Sequence, residues 1–201
     1  MKTKIESHQS SIQFRKGNGA GIRLTIITIL TVCTALWAMR GIAHGQIYVT
    51  NNASGTIGEY DAVTGAPINA ALVSGLRGPF GIAVSGGHIY VTLNTGGGPV
   101  AEYDATTGAV INASLVSQPG SGALALAVSG NNLYVLGQGP PAIIGLYDAT
   151  TGAPIQMPFI MLPAALGGYN LAISDDKLYV VRDGFDDPNG PVAIYEATTG
   201  D

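Results

Sequence analysis

The densest cluster of potential ligand atoms in this chain is the segment Asp183-Gly184-Phe185-Asp186-Asp187-Pro188-Asn189-Gly190. Carboxylates and an amide this close together supply the hard oxygen donors that Ca²⁺ prefers. The spacing nevertheless differs from the Asp-x-Asp-x-Asp-Gly pattern of calcium-binding loops. We therefore expect a solvated acidic loop in which Asp183, Asp186 and Asp187 are candidate calcium ligands, and we expect no other cofactor.

A second acidic position recurs in four similar segments of the form Tyr-Asp/Glu-Ala-x-Thr-Gly. They are Tyr60–Gly65, Tyr103–Gly108, Tyr147–Gly152 and Tyr195–Gly200. A catalytic carboxylate normally stands in one repeat only, whereas a carboxylate that accepts backbone N–H groups is useful in every turn of the same kind. We therefore predict a turn-fixing role for four side chains: Asp61, Asp104, Asp148 and Glu196. A ring of carboxylates that gathers cations is the alternative.

Residues 46–201 contain few groups suited to catalysis. His88 is their only histidine, and alignment of the repeats places it level with Asn132 and Lys177, which flank turns. They contain no cysteine, no pair of histidines and no phosphate-binding lysine loop. Since general acid–base chemistry needs such groups close together, we predict that the protein is not an enzyme.

The spacing of the repeats indicates the elements that position these residues. The four segments are 43, 44 and 48 residues apart, and an Ile/Leu-Tyr-Val phrase keeps step with them. Self-similarity at this period is typical of repeat architectures. Short apolar runs alternate with Gly, Pro, Asn and Ser clusters, which predicts short strands joined by turns. Four strands in about 43 residues correspond to one blade of a propeller.

We therefore predict an all-β fold, a β-propeller of four-stranded antiparallel blades with about 3.5 blades present as an open arc or incomplete ring. The predicted blades are 46–73 without its innermost strand, 80–116, 123–160, and 168–201 without its outermost strand. A tyrosine recurs on the second and third strand of every unit, and we expect these rings to pack between blades.

Residues 1–45 have a different composition. Five cations precede residue 24, an uncharged apolar stretch runs from Leu24 to Met39, and Ala43-His44-Gly45 follows. This order is typical of a secretory leader. The stretch is shorter than the roughly 20 residues of a spanning helix. We predict an apolar leader helix cleaved after Gly45, or an uncleaved signal anchor as the alternative, and a secreted, periplasmic or cell-surface protein.

Removal of the leader leaves an acidic protein. Residues 46–201 carry three cations against twelve carboxylates, a formal charge of −9. Such a surface repels phosphate backbones and anionic lipids, so we expect no nucleic-acid partner and no membrane contact except through an uncleaved leader. The only cysteine is Cys33, which lies in the leader, so the remaining protein has no disulfide.

One pair of phrases resembles a known family. Pro79-Phe80-Gly81-Ile82-Ala83-Val84 followed by Ile89-Tyr90-Val91-Thr92, together with the Tyr-Asp-Ala-Thr-Thr-Gly turn, resembles the YVTN/NHL-type β-propeller repeats of exported bacterial proteins. The chain looks especially like the tandem-repeat proteins that often end in a PEP-CTERM sorting tail. Propellers of this family usually close with six or seven blades, so we expect this chain to be truncated, with homo-oligomerisation through its two exposed blade faces as the alternative.

These observations favour a non-catalytic scaffold that binds a protein or polysaccharide of the cell envelope or extracellular space. Loops at the blade tips are the expected contact points because specificity in repeat folds lies in loops. The candidate binding residues are Asn94, Asp183, Asp186, Asp187 and Asn189. The alternative is a fragment of a lactonase- or lyase-type propeller enzyme whose catalytic blades lie outside this sequence.

Overall fold

In the described part of residues 46–196, the apolar runs form fourteen β-strands, and Gly, Asn, Asp and Thr residues form the turns between them. The computed structural model describes residues 45–94, 98–117, 119, 122–139, 141–162, 168–182 and 192–201, without the side chains of residues 168, 169 and 182. These residues contain no helix. The predicted leader helix and its cleavage site lie outside the described residues.

The strands form four antiparallel sheets in chain order. The first sheet contains β1 (Gln46–Asn51), β2 (Thr56–Asp61) and β3 (Pro67–Val73). The second contains β4 (Pro79–Ser85), β5 (His88–Leu93), β6 (Val100–Asp104) and β7 (Val110–Val116). The third contains β8 (Ala123–Ser129), β9 (Asn132–Gly137), β10 (Ile143–Asp148) and β11 (Pro154–Met161). The fourth contains β12 (Gly168–Ser174), β13 (Lys177–Arg182) and β14 (Val192–Glu196).

This arrangement confirms the predicted all-β repeat fold. The described first sheet has three strands and the described fourth sheet has three, as the repeat pattern predicted, while the two middle sheets have four. The strand boundaries differ from the predicted ones by a residue or two, because the pairing of β4 and β5 extends from Pro79 to Ser85.

Two-residue turns set the register between the first and second strands of the second, third and fourth sheets. Ser85 pairs with His88 across Gly86 and Gly87, whose φ angles are 59° and 83°. Positive φ at both central residues is the geometry that matches the twist of a β-hairpin, and glycine adopts it without steric strain.

Consecutive sheets pack face to face, and we name the two faces of each sheet accordingly. The front face points towards the following sheet and the back face towards the preceding one. Side chains alternate between faces along a strand. Ile89 and Val91 of β5 pack with Ile57 of the first sheet, whereas Tyr90 packs with Leu133 of the third. Both faces of the inner sheets are therefore apolar and covered.

The second and third sheets approach closely at their first strands. A Cβ on Gly81 would lie 2.8 Å from the carbonyl oxygen of Leu124. The fully buried hydroxyl of Thr92 accepts a hydrogen bond from the Gly81 amide (2.8 Å) and donates one to the Leu124 carbonyl (3.2 Å). One buried hydroxyl thus joins β4, β5 and β8.

We expect Thr92→Val, which keeps the shape of the side chain, to lower the free energy of unfolding by about 1–3 kcal/mol because the Gly81 amide loses its acceptor. Urea unfolding measures the change. Thr50→Val is the matched control at the equivalent position of the first sheet, where the hydroxyl donates to the Phe80 carbonyl near solvent. A loss at position 92 no larger than at position 50 contradicts the role of the buried hydroxyl.

Candidate functional site

The recurring carboxylate stands at the end of β2, β6 and β10 and builds the turn that follows each of these strands. In the second sheet, Oδ1 of Asp104 accepts hydrogen bonds from the amides of Thr106 (3.0 Å) and Thr107 (2.7 Å). It also accepts one from the Thr107 hydroxyl (2.8 Å). The Gly108 amide donates to the Asp104 carbonyl at 2.9 Å, and Gly108 adopts a φ of 69°. One carboxylate oxygen therefore organises the whole turn.

The same geometry occurs in the first and third sheets. Asp61 accepts from the amides of Val63 (3.0 Å) and Thr64 (2.7 Å). Asp148 accepts from the amides of Thr150 (3.0 Å) and Thr151 (2.7 Å). The predicted turn-fixing role is therefore confirmed for the three aspartates.

Glu196 occupies the fourth turn with a side chain that is one methylene longer. The backbone pattern is kept, since the Gly200 amide donates to the Glu196 carbonyl at 2.8 Å. The carboxylate forms an ion pair with Nζ of Lys177, which lies across the sheet on β13. The Glu196 carboxylate thus makes a cross-strand ion pair, and the turn-fixing role of its side chain stays a prediction.

Hydrogen bonding also sets the acidity of the turn carboxylates. The hydroxyl and amide of Thr107, followed by the amide of Thr106, lower the pKa of Asp104. The amide and hydroxyl of Thr151 lower the pKa of Asp148 in the same way. These groups stabilise the ionised form because they donate to it.

Each turn also contacts the sheet that precedes it. A Cβ on Gly108 would overlap the carbonyl oxygen of Leu72, and a Cβ on Gly152 would overlap that of Leu115. The first sheet has no described sheet before it, and a Cβ on Gly65 would meet no atom within 4 Å. Glycine is thus required twice over in the inner turns, by its positive φ and by the close approach.

Two tyrosines at equivalent repeat positions, on β1 and β9, make polar contacts between sheets. The hydroxyl of Tyr48 donates to the Ala105 carbonyl (3.1 Å), and that of Tyr134 donates to the Ala197 carbonyl (2.7 Å). Burial raises the pKa of both tyrosines, so both hydroxyls stay protonated donors at neutral pH. The predicted packing of tyrosines between blades is confirmed, with a hydrogen bond added.

The sequence did not predict two buried glutamates. Glu59 and Glu102 are 6% and 4% exposed. Nε2 of Gln46 donates to the Glu59 carboxylate at 2.6 Å. Nδ1 of His88 is buried and lies 2.8 Å from Oε1 of Glu102, within ion-pair distance but without hydrogen-bond geometry, and the imidazole is partly exposed. His88 therefore lies beside a buried acid, as Gln46 does in the first sheet.

The predicted binding residues lie in different parts of the structure. Asn94 is exposed directly after β5, and its backbone N–H donates to the Gly78 carbonyl at 2.8 Å. Asp183, Asp186, Asp187 and Asn189 lie outside the described residues, and the calcium site with them. Within the described ranges, no group of three His, Cys, Asp or Glu side chains could hold a metal ion.

A groove of about 510 Å³ opens between the first and second sheets. Its walls include Gln46 and Tyr48 of β1 and Ile82, Ala83 and Val84 of β4. It lies beside the edge of β1. In the two middle sheets the corresponding position is occupied by the first strand, β4 or β8. Its lining combines apolar groups, an amide and a phenol and carries no charge, so it suits an uncharged segment better than an ion.

Solved structures show which fold this arrangement shares. The crystal structure of Saccharomyces cerevisiae Sqt1, a WD40-type propeller, is 16% identical, with a TM-score of 0.54 over 81% of this chain and 45% of that chain. The computationally designed Ika8 protein is 18% identical, with a TM-score of 0.50 over 80% and 46% of the two chains. Kuenenia stuttgartiensis hydrazine synthase is 15% identical, with a TM-score of 0.50 over 75% and 47%.

These likenesses show the fold alone. The chain spans less than half the length of each of these three proteins. No protein-family profile and no curated protein sequence matches it. None of the described residues belongs to a helix able to cross a lipid bilayer. The chain therefore has a β-propeller-like fold built from four antiparallel sheets.

We expect the turn carboxylates to make the protein sensitive to acid. Because the folded state lowers the pKa of Asp104, its contribution to stability is present above the ordinary carboxyl pKa of about 3.9 and is lost as the pH falls through the lower folded-state value. Asp104→Asn keeps an acceptor oxygen without the charge. The variant should therefore lose less stability than the wild type between neutral pH and about pH 2.

Urea unfolding across this pH range measures the difference. Asp201→Asn, which removes an exposed carboxylate at the end of the chain, is the control and should follow the wild type. Identical acid profiles for Asp104→Asn and the wild type exclude the proposed linkage.

We expect His88→Ala to destabilise the fold by about 1–3 kcal/mol, because it leaves the buried Glu102 carboxylate without its partner. In a Glu102→Leu background the same substitution should have little effect. Leucine suits this position because Leu146 occupies it in the third sheet, 7% exposed. A double-mutant cycle of unfolding free energies measures the coupling, and equal effects of His88→Ala in both backgrounds would show that the two groups do not interact.

Proposed function

We propose that this chain is a non-catalytic, exported scaffold that binds a protein or polysaccharide of the cell envelope or extracellular space. The supporting observation is that its recurring polar side chains serve the fold. The carboxylates of Asp61, Asp104 and Asp148 hold turns, and the hydroxyls of Tyr48 and Tyr134 hold neighbouring sheets together. Differences between repeats are therefore concentrated in the connecting loops, which is where binding specificity resides in such scaffolds.

The repeat motif and the leader-like segment support the rest of this proposal. The Ile-Tyr-Val-Thr and Tyr-Asp-Ala-Thr-Thr-Gly phrases resemble the YVTN/NHL-type repeats of exported bacterial proteins, which supports an exported scaffold. Residues 1–45 act as a signal peptide or signal anchor. The charge of −9 on residues 46–201 disfavours nucleic acid and anionic membranes as partners.

One observation favours the second candidate, a fragment of a lactonase- or lyase-type enzyme. His88 is the only histidine after residue 45, and its Nδ1 lies 2.8 Å from a buried carboxylate. A carboxylate that orients a histidine is a common arrangement for general-base catalysis. The pair occurs in the second sheet alone, as a catalytic pair would.

Binding by the exported protein tests the proposal. The protein is immobilised and incubated with envelope proteins and with extracellular polysaccharide, with added calcium and with a chelator. We expect the wild-type protein to retain a component of one of these mixtures. Asn94→Ala and Asp187→Ala should each weaken binding of that component about tenfold, since exposed loop contacts dominate such interfaces. Val63→Ala, at an exposed turn position (76% exposed), is the control and should bind normally.

Two results contradict the proposal. One is equal retention by the wild type and both loop variants. The other is turnover of a lactone or a cyclic peptide ester that His88→Ala and Glu102→Gln both abolish while circular dichroism shows a folded protein; this result would establish the enzyme. The export component has its own readout, because mass spectrometry of the exported protein should give Gln46 as the first residue.

A further inference from the structure

The back face of the first sheet has the residue types of a covered face but is open. Ile47 and Val49 are 46% and 45% exposed. Their counterparts in the next three sheets are at most 1% exposed: Ile89, Val91, Leu133, Val135, Leu178 and Val180. Gly58, Tyr60 and Ala62 complete this face. The second sheet has Ala101, Tyr103 and Ala105 at the same positions, all buried against the first sheet.

The front face of the fourth sheet is open in the same way. Val192 is 45% exposed and Ile194 is 58% exposed. Val192 corresponds to three fully buried residues: Ile57, Val100 and Ile144. Ile194 corresponds to Leu146, which is 7% exposed because it packs against the fourth sheet. Val181 of β13 adds a further apolar side chain, 40% exposed, to the same face.

The two open faces also carry matching polar groups. Tyr179 stands where Tyr48 and Tyr134 donate their hydroxyl groups to the following sheet. Ala62 stands where Ala105 and Ala197 present the accepting carbonyls. The chain thus holds both the donor and the acceptor of one more bond of this kind.

We propose that the protein self-associates head to tail, with the front face of the fourth sheet of one copy on the back face of the first sheet of a second copy. The occupant follows from the structure, because each of the three covered back faces is covered by a front face of the same repeat. Within the part of the chain that the structure describes, one face of each kind has no described sheet against it. Such a heterologous contact either closes into a ring or extends into a filament.

Two single substitutions test this proposal in the full chain. Ile47→Arg places a charge on the open back face, and Ile194→Arg places one on the open front face. Both positions are exposed in the single copy, so both variants should fold. Each should weaken self-association at least about tenfold, because a charge buried in an apolar contact lacks a partner. Sedimentation velocity over a range of concentrations measures the mass of the assemblies.

Mixing the two variants provides the decisive measurement. A copy with an intact front face and a copy with an intact back face should form a dimer of two chains and nothing larger. Ile155→Arg, at a site 56% exposed on the outer strand β11, is the matched control and should assemble like the wild type. It also retains residues 1–44, so it reports any association caused by them.

The following outcomes overturn the proposal. They are a wild type that stays monomeric at all concentrations, variants that assemble like the wild type, a control that dissociates like the variants, and a mixture that remains monomeric. Val49→Lys and Val192→Lys repeat the test on the same two faces if circular dichroism shows that an arginine variant is unfolded. Dimerisation of either arginine variant alone would indicate a symmetric contact and also overturn the model.

Discussion

The close approach of neighbouring sheets is the constraint on which the rest of this structure depends. Gly81 faces the Leu124 carbonyl, Gly108 the Leu72 carbonyl and Gly152 the Leu115 carbonyl, with no room for a side chain at any of the three contacts. A polar group that such a close contact covers needs a partner within the protein. The buried hydroxyl of Thr92 and the tyrosine hydroxyls supply such partners. The repeated sequence segments thus produce the same kind of close contact between neighbouring sheets.

The turn carboxylate is part of the same constraint. A turn that must lie against the preceding sheet needs a fixed shape, and Oδ1 of Asp104 fixes it by accepting from two amides and one hydroxyl. The turn in turn presents the Ala105 carbonyl to the hydroxyl of Tyr48 in the preceding sheet. The aspartate therefore acts on the contact between sheets through the turn, without touching the other sheet itself.

The sequence predicts these features wherever they repeat. The spacing of the tyrosine-containing phrases predicted an all-β fold of four repeated units, and the acidic position predicted the turn. The pairing of His88 with Glu102 could not be found in this way, because it depends on strand register. Tyr90 pairs with Glu102 and His88 with Asp104, so His88 and Glu102 become diagonal neighbours on one face. The ion pair between Glu196 and Lys177 was not predicted for another reason. The glutamate side chain is one methylene longer than that of aspartate and reaches Lys177.

The front faces of the first two sheets are more polar than those of the third and fourth sheets. The position of Glu59 and Glu102 in the first two sheets is taken by Leu146 in the third and Ile194 in the fourth. Buried carboxylates need a partner on their own sheet, Gln46 or His88, whereas leucine needs only an apolar surface opposite.

Replacing a buried polar pair by an apolar residue is often neutral or stabilising, so the contact made by the third sheet has the simpler chemistry. The fourth sheet follows the third, because its open front face is apolar where the first two would present an acid. A surface of this type gains free energy from any matching apolar face, and its tyrosine selects among them by requiring a carbonyl at one place.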